Sequence, residues 1–177
     1  MKGKFDTKKM KTTLILGLFA MLFSACSTTR IYIVRHGERL NASDTTSLSE
    51  AGYERAETLA LVLADKNLDS IFVSPYARTR QTAQPTAERT GIVPVEYNPR
   101  PTDLIANRLK QVKGKNMLVV GHSDTILEVV KGLEAKPVRQ KIESTDFDNL
   151  LIVTIKQGLS RRKTTLQERV YGRPTLP

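Results

Sequence analysis

A chain of 177 residues, 40% of them hydrophobic, is the size of one domain with one packed core and too apolar to remain disordered. Its single cysteine, Cys26, excludes an intrachain disulfide. The formal charge of +10 is concentrated at the two ends of the chain, and there is no tryptophan. The basic residues are not interleaved with aromatics in the way that stacks bases, so no nucleic-acid partner is expected.

Residues 1–25 read as an export signal outside the fold. Five lysines against Asp6 give this leader +4, residues 14–23 form an apolar run, and small residues follow. Such a run is too short to cross a bilayer core, which takes about 20 residues. Ordinary cleavage after Ala25 would put bulky Phe23 where a small residue is wanted. The segment LFSAC, residues 22–26, instead resembles the lipobox of bacterial lipoproteins, with Phe23 replacing the usual leucine. That resemblance implies cleavage before Cys26, lipidation of Cys26, and an exported protein anchored to a membrane. Ser27 after the cysteine, by resemblance to enteric lipoproteins, favours the periplasmic side of the outer membrane.

After Cys26, short apolar runs alternate with amphipathic segments. Residues 31–34 (IYIV) predict a buried strand. Ala56, Leu59, Ala60 and Leu63 recur at helical spacing, with Ser49 as N-cap. Residues 70–73 (SIFV) predict a second strand. A second helix follows, with Ser74 as N-cap, Pro75 in its first turn and Gly91 as its stop; Pro85 inside it should kink or break it. Residues 92–97 (IVPVEY) predict a third strand. The third helix is expected to be capped by Thr102 and ended by Gly114, with Ile105, Leu109 and Val112 on one face. Residues 116–121 (NMLVVG), apolar on both faces, predict a central parallel strand. Ile126, Val129, Val130 and Leu133 mark the inward face of a fourth helix that opens at Ser123. Residues 149–155 predict another strand and residues 164–172 an edge strand. The expected fold is a three-layer α/β sandwich, with a mostly parallel sheet flanked by helices. Residues 156–177, with six basic residues against Glu168, read as a basic tail. It is either a solvated face or one drawn to anionic lipid headgroups.

Only two histidines occur, and both follow strands: His36 after the first and His122 after the fourth. Open α/β sheets bind ligands beyond the carboxyl ends of their strands. Arg35 precedes His36, and Arg78 lies one turn beyond the second strand. Two arginines and two histidines at three strand ends suit a phosphoryl group. Guanidinium forks match its oxygens, and imidazole is a nucleophile or proton carrier. A metal site would need further ligands, and neither cysteine pairs nor an i, i+4 histidine pair is present.

The segments IVRHGE, LSEAGYERA, FVSPYARTRQTAQPTA and VVGHS, in that order and spacing over residues 30–156, resemble the histidine phosphatase superfamily in its phosphoglycerate mutase-like branch. The resemblance implies a metal- and cofactor-independent phosphomonoesterase in which His36 forms a phosphohistidine. Arg35 and Arg78 would hold the phosphoryl oxygens, and His122 would donate a hydrogen bond to the same group. Backbone N–H groups at Ser123 and Asp124 would add donors, and Gly37 would let the chain turn beside the nucleophile. Asn41 falls near the family's phosphate-binding asparagine, one residue early.

Members of the family usually supply a carboxylic acid from a long insertion after the third strand. Here residues 98–116 leave no room for one. Asp103 lies at roughly the corresponding place and is the expected general acid; Asp124 and Glu38 compete with it. The short connection gives little to cap the pocket, which favours hydrolysis over a mutase reaction. The expected substrate is a phosphorylated small molecule, such as a small phosphate ester or sugar phosphate, or a phosphoprotein. A phosphate-binding module without an efficient acid is the alternative.

Overall fold

The computed structural model describes residues 26–175; the expected export signal lies outside them. The chain order is β1 (Ser27–Arg35), α1 (Glu50–Leu63), β2 (Ser70–Val73), α2 (Ala77–Thr90), β3 (Val95–Glu96), α3 (Thr102–Gln111), β4 (Asn116–Gly121), α4 (Ile126–Gly132), β5 (Asn149–Gln157) and β6 (Arg162–Val170). One six-stranded sheet has the order β3-β2-β4-β1-β5-β6. β3, β2, β4 and β1 run parallel, and β5 and β6 are added antiparallel.

Strand alternation divides the core into two layers. Ile31 and Ile33 of β1, with Met117 and Val119 of β4, meet Ile105 and Leu109 of α3 and Val129 and Val130 of α4. Tyr32, Val34, Leu118 and Val120 point the other way, onto Leu59 and Leu63 of α1 and Ala83 of α2. The sheet with helices on both faces is the three-layer sandwich. Each fully buried aliphatic side chain contributes ~1.5–3 kcal/mol. That burial fixes β1 and β4 as adjacent parallel strands, with Arg35 opposite Gly121 in register, so both histidines emerge at one sheet end.

Local details depart from the sequence expectations. α2 starts at Ala77, with Tyr76 rather than Ser74 at the N-cap and no side-chain cap. The Ser74 hydroxyl is used elsewhere, as described below. Pro85 does not break α2, which continues to Thr90 and ends at Gly91 with φ 69°. A helical proline costs one hydrogen bond, here to the carbonyl of Gln81, and both residues are only partly buried. β3 is two residues long, not six. Thr102 is the first residue of α3 and not its cap, since Pro101 occupies that position. α4 starts at Ile126, so Ser123 and Asp124 lie in the preceding turn and not in the helix. The basic segment is no tail: most of it is β6, paired along its length with β5.

Candidate active site

His36 follows the last residue of β1, and its N–H donates to the Gly121 carbonyl at 3.0 Å, tying it to β4. Its Nδ1 lies 2.7 Å from the Gly37 carbonyl oxygen. A carbonyl only accepts, so Nδ1 carries the proton and the neutral ring keeps its lone pair on Nε2. Burial pushes the imidazole pKa down to about 2; the Gly37 hydrogen bond opposes this, and the nearby Arg35, His122 and Arg78 add to it. His36 therefore presents an unprotonated Nε2 at ordinary pH.

The loop behind it is held by close backbone approach. A Cβ on Gly37 would lie 2.8 Å from the Gly52 carbonyl oxygen, and one on Gly52 would lie 2.3 Å from the Glu38 oxygen. Gly37 is needed for this contact with the start of α1 rather than for a left-handed turn. Its N–H donates to Thr82 Oγ1 of α2 at 2.9 Å. Glu38 faces away from the pocket and takes two hydrogen bonds from the buried Arg55, at 2.9 and 2.7 Å.

Arg35 is anchored by Nη1, which donates to the carbonyls of Glu143 at 2.8 Å and Asp146 at 3.0 Å; its guanidinium lies 4.0 Å from the Phe147 ring centre. Arg78 donates from Nη1 to the Asp44 carbonyl at 2.6 Å and lies 4.4 Å from the Tyr76 ring centre. In both, Nε is buried without a hydrogen-bond partner among the described residues. An unmade buried bond costs ~1–3 kcal/mol, so two unpaired guanidinium donors mark a site prepared for an oxyanion. Burial lowers the pKa of Arg35 to about 10 and also lowers that of Arg78, yet both stay charged at neutral pH.

His122 follows β4, its ring centre 5.4 Å from that of His36. Its Nε2 lies 2.7 Å from Ser74 Oγ. Thr79 Oγ1 gives its one proton to a backbone carbonyl, Ser74 at 2.6 Å or Tyr76 at 2.9 Å, and so accepts the Ser74 proton at 3.2 Å. That leaves His122 Nε2–H as the donor to Ser74. His122 can then donate to a ligand from Nδ1 only after taking up a proton. Burial, reinforced by Arg78 and opposed by Asp124, holds its pKa at about 4, so the ring is neutral until an anion arrives.

These four residues line an open pocket of about 430 Å³, together with Arg39, Asp44, Tyr76, Asn98, Arg100, Ser123, Asp124 and Ser144 among others. Four arginines against two aspartates make it an anion site. Asp124 is bound by Arg100 at 2.5 Å; burial raises its pKa, but this ion pair outweighs it and holds the carboxyl below its ordinary range. Ser123 lines the pocket. Asp103 does not: it is exposed in the first turn of α3. Asn41 is exposed too and is not among the lining residues; its Oδ1 accepts from the Ser43 N–H at 2.9 Å within its own loop. The reason in both cases is local. Asp103 follows the turn at Pro101 onto the outside of α3, and Asn41 completes a turn of its own. Arg39, Tyr76 and Arg100 were not anticipated. Arg39 stood three residues from His36 and its charge was a usable signal, whereas Arg100 lies in a loop without any pattern. Cys26 is exposed, with a free thiol, just before β1. Among the described residues no group of three His, Cys, Asp or Glu side chains could hold a metal ion.

Residues 31–104 match the family model of the histidine phosphatase superfamily, branch 1. A Schizosaccharomyces pombe protein named a probable phosphatase is 32% identical over 109 residues, covering 54% of this chain and 50% of its own length. The match thus spans half the length of that curated relative. Two solved structures share the fold. A protein histidine phosphatase SixA complexed with tungstate has a TM-score of 0.59 at 19% identity, over 80% of this chain and 96% of that one. A phosphoserine phosphatase from Entamoeba histolytica, in complex with 3-phosphoglyceric acid, has a TM-score of 0.52 at 18% identity, over 72% and 90%.

Proposed function

We propose that the chain, whose residues 31–104 match the family model of the histidine phosphatase superfamily, is a metal-independent phosphatase working through a phosphohistidine on His36. The observation that carries this is the hydrogen bond from Nδ1 to the Gly37 carbonyl, which leaves the Nε2 lone pair beside two arginines with unpaired Nε donors. Nε2 attacks phosphorus, the bond from phosphorus to the leaving group breaks, and that group takes up a proton. Water then attacks phosphorus, the P–N bond breaks, and inorganic phosphate leaves with Nε2 free again. Arg35 and Arg78 stabilise the charge that spreads over the phosphoryl oxygens. His122 joins them once the incoming phosphate dianion has drawn a proton onto Nδ1.

The leaving group meets a poor acid. Asp44 and Asp124 are the two carboxylates lining the pocket, and Asp124 is kept ionised by Arg100. Substrates that ask for little protonation are favoured: phosphorylated imidazoles, whose ring nitrogen takes its proton from water, and aryl phosphates. Phosphohistidine on a protein is the reading this supports best. The open pocket admits a protein surface and does not enclose a bisphosphate for a mutase. Cys26, exposed at the start of the fold, remains the proposed site of lipidation and membrane anchoring on the periplasmic side.

Acid-quench labelling with a radiolabelled phosphoryl donor should trap an acid-labile adduct that His36→Ala abolishes along with turnover. A fully active His36→Ala would end the proposal. Binding of phosphate without turnover of phosphoimidazole or aryl phosphate would instead identify a phosphate-binding module. Cys26→Ser should move the protein from the membrane fraction to the soluble one, and persistence in the membrane would remove the anchor.

A further inference from the structure

The end of the sheet opposite the pocket carries a second charge pattern that phosphate chemistry does not use. β5 and β6 are joined by a tight turn closed by the Gly158 N–H to the Arg161 carbonyl at 2.8 Å. Lys156 and Lys163 face each other directly across the hairpin, and Arg162 pairs with Gln157 beside them. Lys156, Arg161, Arg162 and Lys163 are all exposed. Like charges directly opposite one another destabilise a strand pair. Among the described residues nothing relieves them. The one carboxylate of β6, Glu168, lies toward the other end and is engaged by the Val138 N–H at 2.6 Å and Arg139 at 3.9 Å. At the tip, amid this charge, Leu159 is 70% exposed.

We propose that this hairpin tip docks on an anionic lipid surface, with Leu159 entering the headgroup region and the four basic side chains meeting lipid phosphates. Three features favour a bilayer. The tip is a tight turn in which residues 159–163 are all exposed. Its apolar residue is aliphatic, where single-stranded nucleic acid needs aromatic platforms. Finally, Ser27 pairs with Gln157, so the tip stands beside the start of β1, with the exposed Lys113 one residue from Gly114, whose N–H donates to Thr29 of β1 at 2.9 Å. The nine residues of β1 span about 30 Å, so a tip resting on lipid leaves the pocket facing away from it. The proposal stands whether or not His36 is a nucleophile or Cys26 is acylated.

The chain has no tryptophan, so Leu159→Trp in the full chain, combined with Cys26→Ser, creates a single reporter at the tip. Its emission should shift to the blue with vesicles containing phosphatidylglycerol, and not with pure phosphatidylcholine. Adding Lys156→Gln, Arg161→Gln, Arg162→Gln and Lys163→Gln should weaken the apparent vesicle affinity by roughly several hundredfold, since each of the four surface charges contributes about fivefold. Leu104→Trp, at the pocket end, should not shift. Melting temperature confirms that each variant is folded. Absence of a shift with anionic vesicles, a shift indifferent to the four charges, or a stronger response to duplex DNA than to vesicles would each overturn the proposal.

Discussion

The floor and the rim of the pocket are built by different means. Arg35, His36, Arg78 and His122 are 3%, 3%, 6% and 9% exposed and sit at or just beyond strand ends. Backbone carbonyls and one serine hydroxyl fix their orientations. The rim is made of loop residues, and the Arg100 and Asp124 side chains, 64% and 59% exposed, hold chiefly each other. The floor is thus preorganised for one chemical group, whereas the rim can be reshaped without disturbing the sheet. Changes in the floor should act on phosphoryl transfer whatever the substrate. Changes in the rim should act according to what leaves.

The largest effect after loss of His36 itself should come from the arginines. Arg35→Ala or Arg78→Ala should lower kcat about 10²–10³-fold, equally for aryl and phosphoimidazole substrates, because each removes a charge aimed at the transition state. Arg35→Lys should not rescue activity, since one ammonium cannot bond two carbonyls while presenting a free Nε edge. A loss confined to one substrate class would break the distinction between floor and rim.

The next effect is on stability. Both histidines bind their proton more weakly folded than unfolded, at about 2 and about 4 against 6.5. As pH falls below 6.5 the unfolded chain takes up protons that the native state refuses, so stability falls with pH. By pH 5 each histidine should cost ~2 kcal/mol relative to neutral pH. Thermal melts at pH 7 and pH 5 measure this. His122→Gln should flatten the difference, and added phosphate, which stabilises protonated His122, should reduce it.

Most of the floor could be read from the sequence because its signals are those of packing. Apolar runs of fixed length locate strand ends, and the two histidines and two arginines fall just beyond them. The rim could not be read this way. Arg100 and Asp124 meet across loops 24 residues apart, and no periodicity encodes that approach. Ser74 shows a subtler failure. Serine before proline is a good helix-start pattern, but here the hydroxyl is withdrawn from capping because His122 competes for it. Gly52 is similar: inside α1 it looks like a helix-weakening residue, and only the fold reveals that Glu38 runs against it.

Ser74 therefore offers a smaller test of the floor. Ser74→Ala removes the partner that holds the proton on His122 Nε2. The ring could then carry its proton on Nδ1 while neutral. Activity should fall about five- to tenfold, the value of one hydrogen bond of ~1 kcal/mol, and the acid limb of the pH–rate profile should shift. An unchanged profile would mean that the Ser74 contact does not govern the tautomer.

The smallest effects belong to the rim. Arg100→Ala removes the partner that keeps Asp124 ionised, and with it one positive charge from the pocket. On aryl phosphates and phosphoimidazole the loss should be no more than about threefold, because their leaving groups need little help. On an alkyl phosphate the sign should reverse. Asp124, freed from its ion pair, spends more of its time protonated and can give that proton to the departing alkoxide, so turnover should rise a few-fold. Asp124→Asn in the same background should cancel the gain. A rise that survives Asp124→Asn would assign the proton to another group. A large loss on every substrate would move Arg100 from the rim to the floor.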